Sequence, residues 1–218
     1  MESVQVILPC LNEAAALPAV IGTIPASYGV LVIDNGSDDG SAEIARDLGA
    51  RVVDCPQRGY GAACHAGLEA ADADLVVVMD ADGSLDGGQL PRLVDLVRDD
   101  AVDLAVGVRR PAGRGAWPWW LRLANAELAR ELSVRTNRRI RDLGPMRAAR
   151  RESLLELGLR DRRSGYPAET LIAAAAAGWR IGQVEVDYHP RIGASKVTGT
   201  PIGALRAVRD LRAVLASR

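Results

Sequence analysis

Leu75-Val76-Val77-Val78-Met79-Asp80-Ala81-Asp82-Gly83-Ser84 is the stretch on which the reading of this chain turns. Its first half is a continuous apolar run, the pattern of a parallel strand covered on both faces. Its second half places two carboxylates where that strand gives way to a loop. In open α/β sheets, ligands bind at this carboxyl edge. Residues two apart on an extended segment point to the same side. Asp80 and Asp82 can therefore share one hard cation, which prefers oxygen ligands. Gly83 lets the backbone turn or approach a ligand closely. Asp and Gly are also ordinary turn residues, so the stretch alone reads equally well as a polar strand-end turn.

Outward from this stretch, apolar runs alternate with helical patterns. Strands are expected at 4–8, 30–34, 51–53, 75–79 and 104–106, with helices at 13–24, 41–48, 61–71 and 89–98 between them. That alternation predicts a parallel sheet with right-handed crossovers. The pattern then weakens. Residues 109–117 are rich in Gly, Pro and Arg and read as a mobile loop. A helix over 119–134, a short strand at 146–149, a helix over 167–177, a strand at 180–188 and a last helix over 202–215 complete the expectation. Pro167 near the start of one helix and Gly178 past its end fit the usual asymmetry of helix ends.

A chain of 218 residues fits one domain. We read 1–218 as a single unit with two halves, 1–108 and 109–218. A hydrophobic fraction of 48% and a charged fraction of 25% are those of a soluble globular protein. The net charge of −1 gives no general polyanion-binding face, and nothing favours nucleic acid as a partner. Cys10, Cys55 and Cys64 are few, odd in number and without metal-ligand spacing, which points to a reducing compartment. No signal peptide is visible, and no apolar stretch reaches the roughly 20 residues of a spanning helix, so a cytoplasmic location is expected. Lys196 is the single lysine among 27 basic residues.

Two further motifs sit at strand ends. Pro9-Cys10-Leu11-Asn12-Glu13 follows the first strand, and Asp34-Asn35-Gly36-Ser37-Asp38-Asp39-Gly40-Ser41 follows the second. Acids and amides there can hydrogen-bond a nucleobase and ribose. Helix capping by Ser37 or Ser41 is the plainer alternative. The chain has no Gly-x-Gly-x-x-Gly and no Walker-type lysine, which counts against a dinucleotide fold or a P-loop ATPase.

With Arg58-Gly59-Tyr60-Gly61-Ala62-Ala63 opening the third helix, these motifs together resemble a family 2 glycosyltransferase of the GT-A fold. The resemblance implies a nucleotide sugar, GDP- or UDP-linked, with Pro9, Leu11, Glu13 and Asp34 on its nucleoside. Asn12, Asn35, Arg58, Gly59 and Ala81 share those motifs and go to the same substrate. Asp80 and Asp82 would hold Mg²⁺ or Mn²⁺ on the diphosphate and contact the ribose, with Asp82 catalytic. Where Asp-Asp-Gly-Ser is usual the chain has Asp34-Asn35-Gly36-Ser37, and the added amide donor is a reason to expect a changed base preference.

The second half is similar to the polyprenyl-phosphate mannose and glucose synthase branch, through Gly165-Tyr166-Pro167-Ala168-Glu169, Gly178-Trp179-Arg180-Ile181 and Arg191-Ile192-Gly193-Ala194-Ser195-Lys196. It implies Arg191, Ser195 and Lys196 on the donor phosphates. Arg147 follows the shortened segment Asp142-Leu143-Gly144-Pro145-Met146 and is the candidate for an acceptor phosphate. Glu169 is either a general base or a positioning group. The acceptor is a polyprenyl phosphate, or alternatively a soluble hydroxyl compound. A non-catalytic nucleotide-sugar-binding protein is the reading from another class. His189 reads as structural, with a place in the metal shell as the alternative. Trp117, Trp120, Leu121, Ala124 and Leu128 share a helical face suited to core or homodimer packing. Trp119 and Leu123 fall off it beside arginines, and membrane contact is their alternative.

Overall fold

The computed structural model describes residues 2–113 and 115–193. Ser195, Lys196 and the helix expected over 202–215 lie outside the described residues. The carboxylate-bearing stretch begins as a strand, β4 (Leu75–Met79), whose five residues are all buried. The strands before it are β1 (Val4–Cys10), β2 (Gly29–Asp34) and β3 (Arg51–Asp54). Those after it are β5 (Leu104–Pro111), β6 (Met146–Arg150) and β7 (Ile181–Tyr188). They form one seven-stranded sheet in the order β3-β2-β1-β4-β6-β5-β7. β6 runs antiparallel to both β4 and β5, and the remaining pairs are parallel. The carboxyl ends of β1, β2 and β4 thus share one edge.

Both faces are covered, which is why the strands read as apolar runs. On one face α1 (Leu17–Thr23), α2 (Ser41–Asp47) and α4 (Leu90–Arg98) pack over Val6, Leu8, Val32, Val77 and Met79. On the other, α3 (Tyr60–Ala70), α5 (Trp119–Thr136) and α7 (Tyr166–Ala176) pack over Ile7, Ile33, Val76 and Val78. The alternation of strand side chains sorts the residues between the two layers. α3 lies close to β1: a Cβ on Gly67 would meet Ile7 Cγ2 at 2.3 Å. A short helix, α6 (Arg151–Glu156), follows β6.

Three expectations are corrected. The first helix begins at Leu17, not at residue 13. Asn12 has φ +56°. The amides of Asn12, Glu13 and Ala14 donate to Ser37 Oγ, Ser41 Oγ and Asp39 Oδ2, so they are committed to the loop after β2. Ser37 and Ser41 therefore tie two strand-end loops together. Second, Arg109 to Pro111 are not loop: β5 runs on through them, paired with β7 as far as Pro111 opposite Tyr188. Third, α5 starts at Trp119 as expected, but Trp117 lies before it and so shares no helical face with Trp120. The buried face of α5 is Asn125, Leu128, Ala129 and Leu132, while Trp120 is 52% exposed.

No helix among the described residues is long and apolar enough to cross a membrane.

Candidate active site

A cavity of about 420 Å³ opens along the carboxyl edge of the sheet. The loop after β1 contributes Pro9, Leu11 and Glu13, and the loop after β2 contributes Asn35. Arg58 and Gly59 come from the turn into α3, and Asp80, Ala81 and Asp82 from the end of β4. Arg147 and Arg191 complete this part of the lining. The structure thus brings these eleven sequence candidates together. Asn12, Asp34 and Glu169 are not in the lining. Asn12 and Asp34 instead brace the loops, Asn12 Oδ1 accepting from the Asp38 amide and Asp34 Oδ1 from the Ser37 amide.

Asp80 and Asp82 face the same space. Asp80 accepts from the Tyr60 hydroxyl at 3.1 Å. Burial, and then the neighbouring Asp82 carboxylate, push the Asp80 carboxyl up to about 6. Asp82 is fully engaged: Oδ1 accepts from the Ser84 amide at 2.9 Å, and Oδ2 lies 3.2 Å from Arg191 Nη2. The same guanidinium nitrogen is 3.2 Å from Glu13 Oε1. Arg191 is held there by backbone, since the Ile192 amide donates to the Asp82 carbonyl and the His189 amide to that of Ser84. Two converging carboxylates that need a cation are a fit for Mg²⁺ or Mn²⁺, which take carboxylate oxygens and leave further positions to phosphate and water. Among the described residues no group of three His, Cys, Asp or Glu side chains could hold an ion alone. His189 is exposed and outside the lining.

Another part of the wall is built around Arg109 and Trp117, which the loop reading of 109–117 hid. Arg109 makes a bidentate pair with Asp142, at 2.9 and 2.6 Å, and donates to Asn125 Oδ1. The Trp117 ring covers the Arg109 guanidinium at 4.1 Å and lies 5.7 Å from the Tyr188 ring. Arg109 and Tyr188 both line the cavity, beside Leu143, Gly144 and Pro145. Extending the β5 alternation past Val106 through Gly107-Val108 is the signal that finds Arg109. Arg147 projects from β6, is 6% exposed and donates to the Leu143 carbonyl.

Two roles change. The Asn35 amide nitrogen donates to the carbonyls of Cys55 and Gln57, and Oδ1 accepts from the Gly59 amide. A carboxylate cannot make the first two bonds. The fold of the turn into α3 therefore accounts for an amide at this position. Glu169 is 3% exposed, and its carboxylate accepts from the amides of Arg160 and Asp161. The loop it holds presents the carbonyls of Arg162 and Arg163 to the amides of Ala62 and Gly61 at the start of α3. Gly59 is required there: its φ is +140°, and a Cβ would sit 2.1 Å from the Arg162 carbonyl oxygen. The Glu169 carboxylate thus holds the loop that meets the start of α3. Cys10 also lines the cavity, but burial pushes its thiol up to about 11, so it is no ready nucleophile.

Comparison with known proteins agrees with this arrangement. The family model for glycosyl transferase family 2 matches residues 5–158. An uncharacterised glycosyltransferase of Mycobacterium tuberculosis is 49% identical over 215 residues, which are 98% of this chain and 98% of that protein. The dolichyl-phosphate hexose transferase of Haloferax volcanii is 33% identical over 200 residues, 90% of this chain and 87% of that one. Among solved structures, Mycobacterium tuberculosis glucosyl-3-phosphoglycerate synthase with Mn²⁺, UDP and glucosyl-3-phosphoglycerate superposes with a TM-score of 0.76 at 27% identity. That match covers 99% of this chain and 79% of the other.

Proposed function

Since the chain belongs to glycosyl transferase family 2 and has the GT-A fold, we propose that it moves a hexose from a GDP- or UDP-sugar to a polyprenyl phosphate, with inversion at the anomeric carbon. Pro9, Leu11, Glu13 and Asn35 would receive the nucleoside, and Arg58 and Arg191 the diphosphate, beside Asp80 and Asp82. Mg²⁺ or Mn²⁺ on those two carboxylates neutralises charge on a departing nucleoside diphosphate. The structurally similar synthase holds Mn²⁺ and UDP together, which supports this part of the reading. Ser195 and Lys196 are proposed as further phosphate contacts from the sequence motif.

The observation that carries the acceptor is Arg147. Its guanidinium is buried on β6, the strand beside the one that carries the carboxylates, where it hydrogen-bonds one carbonyl and makes no ion pair among the described residues. A buried charge without an ion-pair partner is costly, and an anionic substrate group would relieve that cost. A phosphate acceptor also suits the placement of Glu169. With a second pKa of about 6, a phosphate monoester is already a nucleophile near neutral pH. It needs no general base, and Glu169 is turned to backbone amides. One phosphate oxygen attacks the anomeric carbon as the bond to the diphosphate breaks, and no proton has to be removed.

The alternative is a soluble acceptor such as the phosphoglycerate bound by the similar synthase, whose hydroxyl would need a base. Purified protein with Mn²⁺ and each nucleotide sugar, given a short-chain polyprenyl phosphate or phosphoglycerate, separates the two. We expect nucleoside diphosphate release with the lipid phosphate. Release only with phosphoglycerate overturns the lipid acceptor, and nucleotide binding without release in every case overturns the enzyme reading.

A further inference from the structure

At the N-terminal end of α5, Trp119 is 68% exposed, Trp120 52% and Leu123 61%. The two indoles meet edge to face at 5.9 Å, so they present one apolar surface rather than two separate rings. The surface begins two residues beyond Trp117, whose ring covers Arg109 in the cavity wall. It is therefore continuous along the chain with the acceptor side of the site. We propose that Trp119, Trp120 and Leu123 insert into the interfacial layer of an anionic lipid bilayer and hold the cavity mouth against it.

Three observations select a bilayer over a second copy of this chain. The first is size. Three side chains present a few hundred Å² at most, at about 150–250 Å² per tryptophan, whereas a stable protein interface needs about 800 Å² from each partner. The second is chemistry. Tryptophan combines an apolar body with an N–H, and it concentrates where hydrocarbon meets headgroups. The third is charge. Within the first two turns of α5 the only ionisable side chain is Arg122, which is exposed and pairs with no carboxylate among the described residues. A cation between apolar anchors complements a negative headgroup. The inference rests on the lipid-phosphate reading of the acceptor: a membrane-embedded substrate would reach the cavity from the surface that these residues enter.

The test is flotation of the full chain with vesicles of equimolar phosphatidylglycerol and phosphatidylcholine, compared with the triple variant Trp119→Ser, Trp120→Ser, Leu123→Ser. We expect the variant's vesicle partitioning to fall by more than about tenfold, from the apolar area lost. Arg122→Glu should weaken binding to these vesicles and not to pure phosphatidylcholine. Size-exclusion elution should not change. Transfer to a water-soluble short-chain polyprenyl phosphate should persist in the triple variant, which also shows that it is folded. Undiminished vesicle binding by the triple variant overturns the proposal, as does a shift from dimer to monomer. Vesicle binding that disappears in the variant, in a protein that transfers to no lipid phosphate, overturns the acceptor reading and leaves the docking surface standing.

Discussion

Replacing Arg191 with alanine should move metal affinity and nucleotide affinity in opposite directions. In the structure Arg191 Nη2 lies 3.2 Å from Asp82 Oδ2 and 3.2 Å from Glu13 Oε1, while Asp82 Oδ1 is taken by the Ser84 amide. A cation that binds Asp82 must share or displace this guanidinium. Opposite charges at such a distance attract by about 4 kcal/mol at an effective dielectric of 20. The Arg191 side chain is 27% exposed, so solvent screening and the cost of desolvation leave about 1–2 kcal/mol. Removing it should tighten Mn²⁺ binding, measured by calorimetry without nucleotide, by about 5- to 30-fold. With Mn²⁺ saturating, UDP or GDP should bind about tenfold more weakly, because a charge-assisted bond to phosphate is gone. Weaker Mn²⁺ binding by Arg191→Ala in the absence of nucleotide would refute the competition between guanidinium and metal.

Asn35→Asp should lower stability by about 1–3 kcal/mol, because it sets a carboxylate against the carbonyls of Cys55 and Gln57. Denaturant melts will show it, and an unchanged midpoint would return the amide to base recognition. Asp80→Asn should stabilise the protein above pH 6. The folded-state pKa of Asp80 is raised to about 6, so its favourable contribution is full below the unfolded value near 4 and is lost as pH rises to 6. The gain over the parent protein should approach about 2–3 kcal/mol at pH 7 and vanish near pH 4 in thermal melts across that range; a constant difference would contradict the shift. Glu169→Gln should cost about 1–3 kcal/mol of stability while the pH profile of kcat/KM keeps its shape. A lost acid limb would instead make Glu169 a general base.

The part of the site proposed for the donor was legible because buried parallel strands announce themselves as apolar runs, and their carboxyl ends then locate the loops. Pro9 to Glu13, Asn35 and Asp80 to Asp82 could be placed on one edge by that logic, and Arg58 by the resemblance of its motif. What the residues do to one another was less legible. Nothing local shows that Asn35 donates to residues 20 and 22 positions away, or that Glu169 caps amides of a loop before its own helix. The acceptor side was harder because β6 is Met146-Arg147-Ala148-Ala149-Arg150, with no apolar run to mark an antiparallel strand inserted between β4 and β5. Arg109 was hidden by the Gly, Pro and Arg that follow it, although it is paired in a strand. Trp120 was assigned to the core by counting helical spacing from Trp117, a residue that precedes the helix.

The proposed chemistry turns a phosphate monoester into a diester, and that change is the most direct thing to measure. A short-chain polyprenyl phosphate, Mn²⁺ and the nucleotide sugar that supports turnover should be followed by phosphorus NMR. The acceptor's monoester resonance should be replaced by a diester resonance coupled to the anomeric proton, in proportion to the nucleoside diphosphate released. Product formation with every acceptor phosphate still a monoester, the hexose being joined to a carbon-bound hydroxyl, would contradict the account.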